Sequence, residues 1–256
     1  MQSSVNEILT RRKVCVLIPT YNNAKTLVRV LNEIRNYTTE IIVVNDGSTD
    51  ETAAILSKYT DIEVLTFDTN KGKGKALRVG FDKARSMGYN YALTIDSDGQ
   101  HFAQDIAVFA YEMEKSEEPV LLIGSRDMNQ KDVPKKNSFG HRFSNFWFWF
   151  ETGVALSDTQ SGYRLYPLEK LAKNYVTNRF EFEIEVIVRA SWSGILIKNV
   201  PIGVLYDKQE RVSHFRPFWD FARISILNTF LVLIAILYIK PRDFLRNLKK
   251  KVFGSS

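Results

Sequence analysis

Short apolar runs rich in β-branched residues recur through the first half of the chain, at residues 14–18, 41–44, 62–67, 91–95 and 120–123. The stretches between them carry apolar residues at helical spacing. Leu27, Val30, Leu31 and Ile34 fall at i, i+3, i+4 and i+7, and so do Ile106, Phe109, Ala110 and Met113. Strands of buried type alternating with amphipathic helices predict an α/β fold, with a mostly parallel sheet covered by helices on both faces. After the second run, Ser48 and Glu51 have capping-box spacing and predict a helix start.

The second half is less regular. Phe143, Phe146, Trp147 and Phe150 share one helical face, with Phe148 and Trp149 beside them; this face suits either a core helix or a lipid-facing one. Residues 181–186 alternate charged and apolar positions, which by period reads as a strand, while Ile187, Val188 and Ala190 fit a helix. Residues 195–200 and 203–206 read as short strands. The most apolar stretch, residues 224–239, is bounded by Arg223 and Lys240. As a helix it would reach about 24 Å, short of a hydrocarbon core about 30 Å thick. That length predicts a helix lying in a membrane surface rather than crossing it.

Charge sharpens the division. The net charge is +6, and residues 240–251 hold six bases and one acid, leaving only +1 for the remainder. Basicity confined to a tail after an apolar helix suits an anionic lipid surface better than nucleic acid, which asks for a charged face on the folded domain. The expected layout is a catalytic domain over 1–216 and a membrane-associated tail over 217–256. A single cysteine, Cys15, lies within an apolar run and reads as a small core residue. With no internal disulfide and a polar amino terminus, the expected location is the cytoplasmic face of a membrane, peripheral or monotopic.

Three polar segments directly follow three of the apolar runs: Pro19-Thr20-Tyr21-Asn22-Asn23, Asn45-Asp46-Gly47-Ser48 and Asp96-Ser97-Asp98-Gly99-Gln100-His101. In a parallel sheet their strand ends share one edge, where open α/β sheets bind ligands. Asp96 and Asp98, two apart, can face one ion. Hard oxygen ligands suit Mg2+ or Mn2+, and zinc lacks ligands because His101 has no cysteine beside it. A divalent ion there would absorb charge on a departing diphosphate, and Asp46 is placed to reach a base or ribose. The P-loop pattern is absent, and Asn70-Lys71-Gly72-Lys73-Gly74-Lys75 lacks the third glycine of the dinucleotide fingerprint, so kinase and dehydrogenase readings are disfavoured.

These segments together resemble glycosyltransferase family 2. The runs Asn70 to Ala76, Gly124-Ser125-Arg126, Asp158-Thr159-Gln160-Ser161-Gly162-Tyr163-Arg164 and Arg211-Val212-Ser213 are most similar to its dolichyl- and polyprenyl-phosphate sugar synthase branch. The resemblance spans roughly residues 13–216. It implies a GT-A fold, a divalent metal and inversion at the anomeric carbon. It places a UDP- or GDP-linked sugar on Pro19, Tyr21, Asp46, Lys75 and Asp96, and the metal on Asp96, Asp98 and Gln100. It makes Arg126, Arg142, Arg211 and Ser213 candidates for a lipid phosphate. Asn23 and Asn45 depart from the branch, which usually has Glu and often Asp there. The implied reaction is sugar transfer to a polyprenyl phosphate. A hydroxyl acceptor on a glycolipid or glycan would need a base, for which Asp158 is the candidate. A non-catalytic membrane scaffold is a third reading, against which the intact Asp96/Asp98 pair argues.

Overall fold

The computed structural model describes residues 2–126, 135–205 and 216–253. Its strands are β1 (Val14–Thr20), β2 (Ile41–Asn45), β3 (Glu63–Thr66), β4 (Tyr91–Thr94), β5 (Val120–Arg126), β6 (Arg164–Pro167) and β7 (Leu196–Ile202). They form one sheet in the order β3-β2-β1-β4-β6-β5-β7. Every pairing is parallel except those of β6, which runs antiparallel between β4 and β5. The five runs of the first half therefore all appear as strands, as their alternation predicts. β6 is a finding the periodicity did not give, because its four residues open on Arg164.

Successive side chains of a strand point to opposite faces, and here each face has its own core. Val14, Val16 and Ile18 pack with α1 (Gln2–Arg11), α2 (Ala24–Arg35) and α5 (Ile106–Glu114). Cys15 and Leu17 pack on the other side with α4 (Lys73–Ser86), α7 (Phe182–Trp192) and α8 (Pro217–Ile234). Cys15 is fully buried, as its apolar run predicts, and burial pushes its thiol up to about 12.

Three local expectations need correction. The short helix α3 (Thr52–Leu56) starts later than the predicted capping box. Ser48 Oγ instead accepts the N–H of Asn22 at 3.0 Å, and Asp50 Oδ1 accepts that of Thr52 at 3.0 Å. Residues 182–192 form the helix α7, not a strand. The misleading alternation arises because its acids are buried with partners: Glu183 meets Lys73, and Glu185 accepts from Val176, Thr177 and Arg189. At 203–205 there is only an isolated bridge between Val204 and His101.

α8, a π-helical turn (Ala235–Ile239) and α9 (Lys240–Phe253) follow one another directly. The apolar helix runs Phe218–Arg246, 29 residues, longer than the sixteen legible by composition. Pro241 has no N–H for the carbonyl four residues earlier and its ring crowds that turn; the π turn just ahead of it is the usual accommodation. Leu227, Leu231, Ala235 and Ile239 form a buried stripe. Ile226, Phe230, Leu233 and Leu237 point away from the protein, Leu237 at 74% exposure. By length and apolarity this helix is long enough to cross a membrane, which removes the length argument for a surface helix; its inner stripe docks it on the rest of the described structure.

α6 (Lys135–Thr152) is inverted relative to an ordinary amphipathic helix. Its buried stripe is His141, Ser144, Phe148 and Glu151, mostly polar, while Phe146 and Trp149 are half exposed. The aromatic face is therefore not the core face, and Phe143 continues it onto Phe221 of α8, ring centroids 5.8 Å apart. Glu151 is 1% exposed and both its carboxylate oxygens lack a hydrogen-bond partner. Burial pushes its carboxyl up to about 8. The folded chain thus keeps a proton that the unfolded chain loses near pH 4, so stability falls as pH rises from about 4 to about 8. Glu151→Gln removes this cost. The variant is expected to be more stable than the parent by on the order of 2–5 kcal/mol at pH 8, and equal to it below about pH 4. Thermal melts across that range check this; parallel melting curves at all pH values would exclude it.

Candidate active site

The three polar segments meet at the carboxyl edge of the sheet, and side chains lock them there. Thr20 and Asn45 end β1 and β2 in register. Asn22 takes a left-handed conformation (φ 51°), which asparagine tolerates. Its Oδ1 accepts the N–H of Thr49 at 2.7 Å, joining the first loop to the second. Gly47 is also left-handed (φ 68°), and a Cβ there would collide with the backbone of Thr69. The loop after β3 can therefore close over the second segment. Asp46 holds it closed: its carboxylate accepts the N–H groups of Lys71 (2.7 Å) and Gly72 (2.9 Å) and the Asn70 amide (3.0 Å).

Ser97 sets the metal pair. It points inward, where its Oγ accepts from Asn23 Nδ2 at 2.8 Å and lies 3.0 Å from Thr20 Oγ1. Its carbonyl accepts from Thr26 Oγ1 at 2.6 Å. With Ser97 fixed to the first loop, Asp96 and Asp98 on either side face the cleft. Asn23 and Asn45, the two departures from the branch, serve this scaffold: Asn23 through Ser97, and Asn45 by accepting the N–H of Ser48 at 3.0 Å.

The cleft measures about 720 Å³, and its lining includes Pro19, Tyr21, Asp46, Asp96, Asp98 and Gln100. Lys75 is not among its lining residues: it sits one turn into α4, its N–H bonded to Asn178 O at 2.8 Å. The lysine that lines the cleft is Lys73, whose Nζ lies 2.7 Å from Asp96 Oδ1 and 3.1 Å from Glu183 Oε2. Burial works against both charges of the Lys73–Asp96 pair, but their mutual attraction, helped by Glu183, wins. Lys73 is held above its ordinary pKa and Asp96 below its own. Arg179 also lines the cleft, and its charge acts on Asp46. Lys73 stands inside the quoted motif run; Glu183 and Arg179 lie outside every quoted run and carry no local sequence signal.

The donor set fits a divalent cation shared with a ligand. Asp96, Asp98 and Gln100 supply hard oxygens on one wall of the cleft. No group of three or more His, Cys, Asp or Glu residues able to hold an ion occurs among the described residues. Magnesium-type sites commonly use one or two carboxylates and complete their shell with water and substrate phosphates. His101 does not line the cleft; its ring packs on Tyr163, centroids 5.2 Å apart.

Beside the cleft, at the end of β5, Arg126 and Asp158 form a two-pronged pair: Nε to Oδ2 at 2.7 Å and Nη2 to Oδ1 at 3.1 Å. Asp158 is fully buried and also accepts the N–H groups of Gln160 (2.8 Å) and Ser161 (3.2 Å), with His141 Nε2 3.4 Å away. Burial would raise its pKa, but these donors and the Arg126 charge outweigh it and hold the carboxyl well below the usual range. A carboxylate held this way is a poor proton acceptor, which weighs against the reading of Asp158 as a base for a hydroxyl acceptor. Its evident work is to orient Arg126. Arg142 is exposed on α6. Arg211 and Ser213 lie outside the described residues.

The sheet order, with one reversed strand in a parallel array and a carboxylate pair at the switch edge, defines a GT-A nucleotide-sugar fold. The chain belongs to glycosyltransferase family 2: the family model, Glycosyl transferase family 2, matches residues 15–173. It lies in the polyprenyl-phosphate sugar synthase-like branch and is a glycosyltransferase. It is 30% identical over 219 residues to a UDP-N-acetylglucosamine–dolichyl-phosphate N-acetylglucosaminyltransferase of Methanococcus voltae, covering 76% of this chain and 86% of that protein. It is 28% identical to a polyprenol monophosphomannose synthase of Mycolicibacterium smegmatis, covering 75% and 77%. Among solved structures, glucosyl-3-phosphoglycerate synthase from Mycobacterium tuberculosis, in complex with Mn2+ and UDP-glucose, matches with a TM-score of 0.64 at 18% identity, covering 92% of this chain and 82% of that one.

Proposed function

We propose that the chain is an inverting, metal-dependent transferase that moves a sugar from a nucleotide sugar to a polyprenyl phosphate at the cytoplasmic face of a membrane. The observation that carries the choice of acceptor is the state of Asp158. A hydroxyl must lose a proton as it attacks and needs a base within reach. A phosphate is already ionised and needs none, and the carboxylate nearest to that role is committed to Arg126. In the reaction so written, an acceptor phosphate oxygen forms the new bond to the anomeric carbon as the bond to the diphosphate breaks. The electron pair leaves on the diphosphate, and no proton moves. A divalent ion held by Asp96, Asp98 and Gln100 would supply neutralising charge for that leaving group. Arg126, its Nε and Nη2 held by Asp158, brings a guanidinium charge that suits a phosphate.

The membrane reading is supported by two apolar surfaces that meet: the outer stripe of α8 and the aromatic face of α6. The Methanococcus relative is named for transfer to dolichyl phosphate, and the Mycolicibacterium relative for synthesis of polyprenol monophosphomannose. The test is a panel of UDP- and GDP-sugars with Mn2+, each offered a polyprenyl phosphate or the matching free alcohol. Metal-dependent release of nucleoside diphosphate with the phosphate alone is the expected result. Turnover with the alcohol alone would overturn the choice of acceptor, and no turnover with any pairing would favour a scaffold.

A further inference from the structure

Lys73 does not simply line the cleft; it occupies one of the carboxylates that the metal reading assigns to the cation. We propose that the Lys73 ammonium and the divalent cation exchange on Asp96, and that Glu183 is the positioning residue that keeps Lys73 beside the site when the cation arrives. This rests on the metal-dependent reading above and extends it to a device in the protein itself.

The geometry is specific. One base stands between two acids, Nζ lying 2.7 Å from Asp96 Oδ1 and 3.1 Å from Glu183 Oε2. An ammonium has three donors and can serve both. The root of Lys73 is fixed, because it opens α4 directly after Gly72, whose N–H is bonded to Asp46. From above, the loop after Asp158 closes on the pair at Gly162. A Cβ on Gly162 would fall 2.6 Å from Asp96 Oδ2 and 2.7 Å from Lys73 Nζ, so a larger residue there would displace the pair.

Charge decides what happens next. A divalent ion on Asp96 repels the ammonium at close range, and a lysine with no second partner would be driven from a site where it is largely buried. Glu183 prevents that. Its Oε2 already holds Nζ, and its Oε1 is buried without a hydrogen-bond partner, an acceptor left over for the donor released by Asp96. Lys73 therefore stays in the cleft wall as a second cation, facing the phosphates of the donor. With nucleotide and metal both gone, it returns to Asp96 and neutralises the carboxylate.

The test is direct binding of Mn2+ to the full-length, detergent-solubilised protein without nucleotide, followed by electron paramagnetic resonance of the free ion. Lys73→Gln removes the competitor and is expected to tighten Mn2+ binding about tenfold, the scale of one lost charged hydrogen bond. Glu183→Gln leaves Lys73 with Asp96 as its only acid and is expected to weaken binding by about the same factor. In the Lys73→Gln background, Glu183→Gln should change the affinity by less than about twofold, because Glu183 acts through the lysine. Glu183→Asp, which withdraws the carboxylate, repeats the measurement should the glutamine variant fail to fold. Unchanged affinity in Lys73→Gln would overturn the exchange. An equal Glu183 effect in both backgrounds would overturn it too, since a mere field of charge acts without the lysine. If the wild type takes up no Mn2+ even with a nucleoside diphosphate present, the metal reading itself falls and the exchange falls with it.

Discussion

Replacing Asp98 by alanine is expected to lower sugar transfer by about 10³-fold or more, and chelation should bring the wild type to the same level. The reason lies in the construction of the edge. Ser97 is tied inward by Asn23, Thr20 and Thr26, so the carboxylates on either side have no freedom to find another ligand or to be replaced by a neighbour. Loss of one removes half of the anionic clamp at the point where diphosphate charge develops. Removing preorganised charge stabilisation at a reacting centre costs about 10²–10³ in rate even for a single neutral donor. The protein should stay folded, because Asp98 is only partly buried at the cleft. Release of nucleoside diphosphate with saturating donor and acceptor is the measurement; full activity in Asp98→Ala, or in excess chelator, would remove the metal from the mechanism.

The second large effect concerns the membrane. Phe230→Glu combined with Leu237→Lys changes two residues of the outer stripe, 61% and 74% exposed. Each large apolar side chain withdrawn from lipid costs roughly 2 kcal/mol, so the pair should weaken vesicle binding by about 10³-fold. Folding should be untouched. Leu231→Glu makes the contrast, since Leu231 is 3% exposed in the second core and a buried unpaired carboxylate there should unfold the chain. Flotation with anionic vesicles reads the first effect and thermal melts read the second. The double variant should keep activity on a short soluble acceptor phosphate and lose it on a long-chain one. If it floats as well as the wild type, the outer stripe is not the lipid contact.

Most of the architecture is legible in the sequence, and what is not legible has physical causes. Four of the five apolar runs of the first half, those of β1, β2, β4 and β5, are buried on both faces, and burial of that kind writes itself as composition; β3, at the sheet edge, is only partly buried. The three polar segments converge because parallel strands must place their ends together. Legibility fails where polar residues are buried with partners. Arg164 opens β6 fully buried, its guanidinium donating to the carbonyls of Ser161 (2.6 Å), Glu183 (2.6 Å) and Thr159 (3.0 Å). A charged residue at a strand start hides the strand. Glu183 and Glu185 give a helix the look of a strand by the same means. On α6 the rule is reversed outright: a polar stripe faces inward and the aromatic residues face outward, a pattern that composition alone leaves open. Lys73 lies within the Asn70–Ala76 run, yet its second acid, Glu183, is more than a hundred positions away, and no local pattern announces such a contact.

The reversed strand also governs how the chain can be made. β4, which leads into the metal pair, is completed on one side by β1, but its other neighbour, β6, lies far downstream; Thr94 and Arg164 are 70 residues apart. At a synthesis rate of about 5–20 residues per second, the nascent chain holds β4 as an open edge for roughly 4–14 s. An unpaired edge is a template for any other extended chain. During that interval the strands that carry the three polar segments are already made, while β6, α7 and α8 are not. The ribosome thus presents the strands of the three polar segments first, and the exposed edge of β4 is sealed only when β6 is inserted. A chaperone that covers this edge during translation is therefore expected to raise the soluble yield of this enzyme.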